Sequence, residues 1–367
     1  MNLIQTPVRI SSTGGVERYV HDLSSELTTQ GHHVTVICAL SHEQLRSGCN
    51  YTIKGLTPLF RIANTEITPL LLPVLLSEEC SLIHTHIPTP WSADLSMLAA
   101  WIKKKPLVVT YHNDITARGV NSYIAALYNR IFLPLVLKKA ERIIITRTHF
   151  KSQFLDNYRE KLIHIPPGVN TEQFKPVDYP KIGDLFFLSV LDEYHRYKGI
   201  EILFSAINQL KDKYPGIRVI VGGSGVQSDH YKKKAVGMGI APNIVFAGYI
   251  PDQDLLKYYR GTSAFVLPST DPTREGFGLV LLEAMACGRP VLTTDIAGMA
   301  DDIKEFGSGI IIPRENPESL AKAISWFMEN PGEAEAMGRA ARKLIEERYD
   351  WKIITGRIEK IYEQHIR

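Results

Sequence analysis

Residues 270–292 read TDPTREGFGLVLLEAMACGRPVL and carry the most informative pattern in the chain. Glu275 lies in a glycine-bearing loop that continues into an apolar helical segment containing Glu283. Gly288 then ends the helix and Pro290 opens a strand. A loop, a helix and a strand in this order are typical of a parallel α/β protein, because helices connect its strands.

The spacing of the two glutamates limits what they can bind. Two helical positions eight residues apart lie ~12 Å apart along the axis and ~80° apart around it, so the carboxylates cannot hold one atom. The backbone amides at the helix start lie between them, on Gly276, Phe277, Gly278 and Leu279. Such amides suit a phosphate. A sugar at Glu275 and a ribose at Glu283 would then describe a nucleotide-sugar.

A simpler interpretation makes Glu275 a first-turn acid favoured by the helix dipole and places Glu283 on a solvated face. The neighbours of Glu283 in LVLLEAMAC are all apolar or small. An acid in such a setting usually has a partner or a ligand, which favours the ligand interpretation.

The same residues resemble a known signature. P-S-x(5)-E-G-F-G-L-x(3)-E-A-M-A-x-G-x-P-V is similar to that of the retaining glycosyltransferases of family 4, which have the GT-B fold. Further motifs fit this family in order and spacing: GGVERY at 14–19, LIHTH at 82–86, VVTYHND at 108–114, IPPGVN at 165–170, YKG at 197–199, VGGSG at 221–225 and YDW at 349–351. The resemblance implies two Rossmann-like doubly wound parallel-sheet domains facing a deep cleft.

Composition restricts the class of protein. The chain has 367 residues, 44% of them hydrophobic, which is enough for two domains. A net charge of +3 does not call for a nucleic-acid partner. The four cysteines lack C-x-x-C spacing, and neither a signal peptide nor a membrane span is evident. We expect a soluble, cytoplasmic protein.

Strand-like and helical segments alternate along the whole chain. The predicted strands of the first half are 3–5, 33–38, 82–85, 107–111, 142–146 and 162–164; those of the second half are 185–190, 218–221, 244–246, 264–267, 291–293 and 309–312. Two doubly wound sheets of about six strands fit this pattern. Four prolines in 166–180 indicate the break. We predict an acceptor-side domain at 1–172, a nucleotide-sugar-binding domain at 173–348 and a last helix at 349–367, which by resemblance crosses back.

A departing nucleoside diphosphate needs a cation at its developing negative charge. Lys198 is the main candidate. The family usually has an arginine six residues earlier, where this chain has Asp192. Arg196 or His195 could supply the second positive group, although Arg196 could equally be a surface charge.

Histidine and glycine residues add candidates in the first half. Gly15 could let the backbone approach a ligand or simply form a tight turn. His112 follows a strand at its carboxyl end, and by resemblance it contacts the donor sugar. Asp114 could orient His112 or an acceptor hydroxyl. His84 and His86 point the same way, as a metal pair lacking a third ligand or as a wall beside the acceptor.

Three residues in the second half are candidates only by resemblance: Gly225 near the phosphates, with Tyr249 and Ile250 near the nucleobase. Asp252 and Asp254 could be read as a metal-binding Asp-x-Asp motif. Their place after Pro251 favours acids in the first turn of a helix, and no metal is then needed.

The resemblance implies a metal-independent hexosyltransferase in glycan biosynthesis, with no cofactor and a nucleoside-diphosphate-sugar as co-substrate. The acceptor would be a glycan, a lipid-linked sugar or a small molecule. A nucleotide-sugar epimerase of the same fold and a non-catalytic nucleotide-sugar-binding protein are the alternatives. Residues 119–139 form either an ordinary amphipathic helix broken at Pro134 or a peripheral membrane contact through Arg130, Lys138 and Lys139.

Overall fold

The computed structural model describes residues 1–9, 14–40, 49–62, 65–115, 119, 121–147 and 152–366. The chain divides into two compact units, one formed by Met1–Gly168 with Trp351–Arg367 and the other by Val169–Asp350. The polypeptide thus passes between units at 168/169 and 350/351, where the sequence interpretation places boundaries at 172/173 and 348/349.

The first unit is built on a seven-stranded parallel sheet flanked by helices. Its elements are β1 (Asn2–Thr6), α1 (Gly15–Thr29), β2 (His33–Ala39), β3 (Thr52–Leu56), β4 (Phe60–Ile62), β5 (Thr65–Ile67), α2 (Leu71–Ser77), β6 (Leu82–Ile87), α3 (Ser92–Ile102), β7 (Leu107–Tyr111), α4 (Asn121–Ile131), α5 (Leu133–Lys139), β8 (Arg142–Ile145) and β9 (Leu162–His164). The strand order is β3-β2-β1-β6-β7-β8-β9. Every residue of β6 and β7 is buried, as expected for central strands covered on both faces.

The sequence interpretation missed one strand of this sheet and a small hairpin. β3 reads TIKGL, in which Lys54 and Gly55 interrupt the apolar pattern, yet it pairs in parallel with β2. β4 and β5 pair antiparallel as a separate two-stranded sheet with no buried residue. Both escaped prediction because a strand at a sheet edge needs few buried side chains.

The second unit contains a six-stranded parallel sheet. Its elements are β10 (Gly183–Leu188), α6 (Ile200–Leu210), β11 (Val219–Gly222), α7 (Ser228–Gly237), β12 (Ile244–Gly248), α8 (Asp252–Arg260), β13 (Thr262–Leu267), α9 (Leu279–Ala286), β14 (Val291–Thr294), α10 (Ala300–Phe306), β15 (Gly309–Ile312), α11 (Pro317–Glu329) and α12 (Pro331–Leu344). The order is β12-β11-β10-β13-β14-β15. All six strands of the second half are predicted by the sequence, within a few residues at their ends.

The last helix, α13 (Trp351–His365), returns the chain to the first unit. One face buries Trp351, Ile354, Ile358 and Tyr362, which recur at helical spacing and join the core that includes α1. No helix in the described part of the chain is long and apolar enough to cross a membrane.

A buried polar network connects α13 to the sheet. Tyr362 Oη lies 2.6 Å from His84 Nδ1, and His84 Nε2 lies 2.7 Å from Thr110 Oγ1. His86 Nε2 lies 2.9 Å from Gln5 Oε1. None of these five side chains is exposed. His84 and His86 therefore do not form a wall beside an acceptor, contrary to the sequence interpretation. His84 holds the last helix against the sheet directly, and His86 supports it through Gln5.

Acid should loosen the first unit before the second. Burial lowers the pKa of His84 to about 3 and that of His86 well below 6.5, so both rings are neutral when folded. The stability that they contribute is complete above pH 6.5 and is lost as the pH falls toward 3, since the unfolded chain binds the protons.

Hydrogen exchange of peptides from β6 and α13 between about pH 7 and about pH 4.5, corrected for intrinsic rates, measures this loss. Peptides from β10 and β13 are the internal control, because the histidines of the second unit, His195 and His230, are not buried. His84→Asn should flatten the pH dependence. Equal acid sensitivity of both units would contradict the assignment.

Candidate active site

The topology of the second sheet brings two loops together. β10 lies between β11 and β13, so the chain leaves β10 toward one side and later returns to its other side. Ligands bind at such a switch point, beyond the carboxyl ends of the strands. The loop after β10 carries Lys198 and the loop after β13 carries Glu275.

Lys198 and Glu275 form a buried ion pair at this edge. Lys198 Nζ donates to both carboxylate oxygens of Glu275 over 2.9 Å, and Ser269 Oγ donates to Glu275 Oε2 over 2.5 Å. Glu275 is 1% exposed. Burial by itself would lower the pKa of Lys198, but the Glu275 carboxylate outweighs burial and raises the pKa above its usual value of 10.5. The lysine is therefore held as a cation.

Close contact between the two loop backbones positions this pair. Gly199 has φ +84°, and a Cβ there would lie 2.0 Å from the carbonyl oxygen of Pro268. Only glycine fits this conformation and this distance. The amide of Thr270 also donates to the carbonyl of Tyr197 over 2.8 Å. The glycine of the YKG motif is thus needed for the approach of the two loops.

Glu275 and Glu283 have different settings, and only Glu283 is helical. α9 begins at Leu279, after Gly278 at φ +89°, so the helical spacing of 275 and 283 does not apply. The first-turn amides of α9 point into the loop that carries Glu275. Gly276 is partly exposed there, whereas Phe277 is 5% exposed and packs on Tyr349. The Phe277 side chain is therefore a core residue, and only its backbone can meet a ligand.

Glu283 has a protein partner. It is 3% exposed, and Tyr259 Oη on α8 donates to Glu283 Oε2 over 2.7 Å. The apolar setting of Glu283 indicates a partner or a ligand, and Tyr259 is a partner, so the burial of Glu283 by itself does not call for a ligand. Its contact with a ribose stays a prediction.

Arg196 and His195, the two candidates for a second cation beside Lys198, are both held by acidic residues. Asp192, at the position of the family arginine, accepts from the backbone amide of His195 over 2.7 Å and lies 2.8 Å from His195 Nδ1. The Arg196 side chain is half exposed and pairs with Glu193 and Glu201 at 3.1 and 3.3 Å. The structure therefore does not bring Arg196 or His195 to Glu275.

The glycine loop after β11 supports the loop after β10. A Cβ on Gly225 would lie 2.2 Å from the carbonyl oxygen of Leu191. The amide of Leu191 donates to the carbonyl of Ser224 over 3.0 Å. Gly225 is exposed on its other side, so both a packing role and a phosphate contact fit it.

Tyr249 and Ile250, the two residues after β12, differ in their exposure to solvent. Tyr249 is 59% exposed and can meet a ligand, whereas Ile250 is 8% exposed and belongs to the hydrophobic core. The Ile250 side chain is thus not available as a surface for a base. Asp252 and Asp254 lie in the first turn of α8, as predicted, and Asp254 pairs with Lys257 at 3.1 Å. No group of three or more metal-binding side chains occurs among the described residues.

In the first unit, His112 ends the polar network at the carboxyl end of β7. Gln5 Nε2 donates to Tyr362, so Gln5 Oε1 accepts from His86 Nε2. His86 Nδ1 must then accept from His112 Nε2, at 3.3 Å. His112 consequently presents an unprotonated Nδ1, and burial lowers its pKa to about 3. Its ring can accept a hydrogen bond from a hydroxyl group.

Two further expectations for the first unit have clear outcomes. Tyr111 Oη donates to Asp114 Oδ1 over 2.8 Å, so Asp114 orients Tyr111 and not His112. Gly15 is the first residue of α1, and the residues before Gly14 at 10–13 lie outside the described structure. A ligand contact at Gly15 stays a prediction.

Three residues at the edge of the second sheet were not singled out from the sequence: Ser269, Tyr259 and Arg274. Ser269 lies within the P-S-x(5)-E signature and could have been found there. Arg274 immediately precedes Glu275, and its guanidinium lies over the ring of Tyr194. Tyr259 gives no signal, because a tyrosine in an amphipathic helix most often only packs.

Two family models match the chain: Glycosyltransferase Family 4 over residues 13–173 and Glycosyl transferases group 1 over residues 172–344. The D-rhamnosyltransferase WbpZ of Pseudomonas aeruginosa is 28% identical over 344 residues, which cover 90% of this chain and 87% of that protein. The phosphatidyl-myo-inositol mannosyltransferase of Mycobacterium tuberculosis is 26% identical over 376 residues, with 97% and 95% covered.

Solved structures agree in fold. Anabaena Alr3699/HepE in complex with UDP has a TM-score of 0.79 and 19% identity, covering 99% of this chain and 100% of that one. Sucrose-phosphate synthase from Thermosynechococcus elongatus has a TM-score of 0.76 and 21% identity, covering 99% and 98%. Since the two family models together cover residues 13–344 and the solved structures share its fold, the chain belongs to the group 1 glycosyltransferases of family 4, has the GT-B fold and is a glycosyltransferase.

Proposed function

We propose that this protein transfers a hexose from a nucleoside-diphosphate-sugar to a glycan or lipid-linked acceptor with retention of anomeric configuration, without a metal. The observation that carries the proposal is the buried Lys198–Glu275 pair at the switch point of the second sheet, next to the start of α9. A cation, a carboxylate and helix-start amides at one sheet edge suit a phosphorylated sugar.

In the proposed step, the bond from the sugar anomeric carbon to the β-phosphate oxygen breaks while the acceptor oxygen bonds to the same face of that carbon. The acceptor proton passes to the departing phosphate. Lys198 and the first amides of α9 stabilise the charge of the leaving diphosphate. Glu275 orients the sugar through its hydroxyl groups, so it need not form a covalent bond. Glu283 holds the ribose. The contact of His112 with a donor sugar, which the family resemblance implies, stays a prediction.

A donor panel tests the reaction itself. Purified protein is incubated with GDP-mannose, UDP-glucose and UDP-N-acetylglucosamine, with and without a lipid-linked or glycan acceptor. A new glycoside with the anomeric configuration of the donor supports the proposal. An epimerised donor without acceptor would identify an epimerase, and binding of a donor with no turnover would identify a non-catalytic protein.

Neutralising the two glutamates should have opposite effects on diphosphate binding. Glu275→Gln removes the charge that neutralises Lys198, so nucleoside diphosphate affinity should be kept or increased while transfer falls at least ~100-fold. Glu283→Gln should weaken diphosphate binding by about 1–3 kcal/mol, as expected for a lost hydrogen bond to a charged group. Calorimetric titration and the transfer assay separate the two.

Tyr259→Phe is the control for Glu283→Gln. It removes the hydroxyl group that donates a hydrogen bond to Glu283 and keeps the Glu283 carboxylate. It should leave diphosphate affinity within about twofold of wild type. If Glu275→Gln and Glu283→Gln weaken diphosphate binding equally, the proposed division of roles is wrong.

Transfer should continue in excess chelator. The motif that could be mistaken for a metal site starts α8, where Asp254 pairs with Lys257, and the charge of the diphosphate is assigned to Lys198 and the α9 amides. The rate of product formation is measured in EDTA and after addition of Mg²⁺ or Mn²⁺. Complete loss in EDTA with recovery on adding either cation would show that the reaction needs a metal.

The acceptor side of the proposal rests on the outer face of α4 and α5. Ala125 and Asn129 face inward on α4, whereas Tyr123 and Leu127 on the opposite face are 78% and 57% exposed. Four further exposed apolar side chains lie on α4, on α5 or at the residue between them: Ile124, Ile131, Phe132 and Leu135. Exposed apolar patches of this kind mark interaction sites.

Basic residues border this apolar face, and their positive charge favours an anionic membrane as its partner. Arg130 and Lys138 are exposed beside the apolar side chains, and Lys139 lies 3.9 Å from Glu141. An apolar face with a basic rim fits the headgroup region of an anionic membrane. The similarity to a mannosyltransferase named for phosphatidyl-myo-inositol supports a lipid acceptor. We therefore propose a cytoplasmic enzyme that binds the membrane surface peripherally.

The protein should sediment with anionic vesicles at low salt and be released by added salt, since surface charge attraction is screened. Replacing Arg130, Lys138 and Lys139 with glutamate should abolish both vesicle binding and transfer to a lipid acceptor. Lys232→Glu with Lys233→Glu on α7 is the charge control and should bind vesicles normally. Failure of the wild-type protein to bind vesicles at low salt would rule out the membrane contact and favour a soluble acceptor.

A further inference from the structure

The ion pair at the switch point does not supply enough positive charge for a leaving diphosphate. Lys198 carries one positive charge and Glu275, which it contacts through both oxygens, carries one negative charge. The pair is therefore neutral overall. A leaving nucleoside diphosphate carries two to three negative charges, so a site that stabilises it needs a further cation beyond Lys198 and the helix-start amides.

The cations on the loop after β10 are already occupied. Arg196 is held by Glu193 and Glu201, and Lys234 also pairs with Glu201 at 3.0 Å. His195 is held by Asp192. Recruiting Arg196 would break its pairs with both acids and leave Glu193 without this partner, which makes Arg196 a poor source of charge.

Arg274, on the loop after β13, is placed differently. Its guanidinium carbon lies 4.4 Å from the centre of the Tyr194 ring and 5.4 Å from that of Tyr197. It is partly buried, and no ion pair of its guanidinium occurs within 4 Å among the described residues. The acid three residues earlier, Asp271, uses Oδ1 to accept from the amide and hydroxyl of Thr273. These hydrogen bonds and, to a smaller extent, the charge of Arg274 lower the pKa of Asp271 against the effect of burial.

The geometry of these contacts keeps the guanidinium available. The face of an aromatic ring attracts a guanidinium but offers it no oxygen acceptor, so these contacts leave the N–H groups of Arg274 as donors. Lys198 Nζ lies 5.1 Å from the centre of the same Tyr197 ring. Two cations, one on each loop, thus approach one aromatic ring.

We propose that Arg274 binds the diphosphate of the donor and supplies the second positive charge beside Lys198. This inference rests on the proposed function. The loop that carries Glu275 then provides both the sugar ligand and a phosphate ligand from adjacent positions. Asp192 needs no arginine in its place, because the charge comes from the other loop. Arginine suits the role since its planar fork can donate two parallel hydrogen bonds to phosphate oxygens.

Binding of UDP, GDP and ADP, each compared with its nucleoside, tests the assignment by calorimetry. For the diphosphate that binds wild type, Arg274→Gln should weaken affinity about 10- to 100-fold, the range for a lost charged hydrogen bond, and leave nucleoside affinity unchanged. Arg274→Lys should lie between wild type and Arg274→Gln, because it keeps the charge and loses the fork. Arg196→Gln, the matched control, should bind within about twofold of wild type.

Tyr194→Leu separates charge from packing. It removes an aromatic support and keeps the guanidinium, so it should weaken diphosphate binding less than Arg274→Gln does. Equal losses of nucleoside and diphosphate affinity in Arg274→Gln, or unchanged diphosphate affinity, would overturn the assignment and leave Arg274 a packing residue. If wild-type protein binds none of the three diphosphates, the proposed function itself fails.

Discussion

The buried ion pair between Lys198 and Glu275 is the interaction on which the ligand-binding edge of the second unit depends. Neither charge could be removed from water alone, because an unpaired buried charge costs several kcal/mol. Since the two residues lie on loops after β10 and β13, the pair forms only if these strands are neighbours. The ion pair therefore depends on the strand order of the sheet. It also depends on Gly199, which lets the backbones of the two loops come into contact.

The first unit buries polar groups by a different solution. The three histidines of its buried network, His84, His86 and His112, are kept neutral by burial. Each accepts or donates within a chain of hydrogen bonds that runs from Tyr362 and Gln5 to His112. A neutral network can be enclosed without counter-charges if every donor finds an acceptor. The arrangement also fixes the tautomer of His112, so the ring at the end of β7 is set by residues on β1, β6 and α13.

The sequence predicted the structure correctly where a local pattern is compatible with only one type of secondary structure. Apolar runs predicted the strands of both sheets apart from β3, and the 270–292 segment identified the loop and helix around Glu275. The roles of Phe277 and Ile250 were less accessible, because a motif position does not say whether the side chain or the backbone faces a ligand. The partners of Glu275, Glu283 and Asp114 come from other loops and helices, and such contacts leave no trace in local spacing.

The outer face of α4 shows what the fold does not require. Inward contacts attach this helix: Tyr128 donates to Asp94 over 2.7 Å, and Asn129 donates to the carbonyl of Ile115 over 2.9 Å. Its exposed Tyr123 and Leu127 add nothing to that attachment, and polar residues there would be better solvated. A large exposed apolar face lowers solubility, and this cost favours the membrane contact proposed for it. The proposed donor chemistry depends on loops of the second unit, and the outer face of α4 and α5 is the feature of the first unit that carries the proposal of a lipid-linked acceptor.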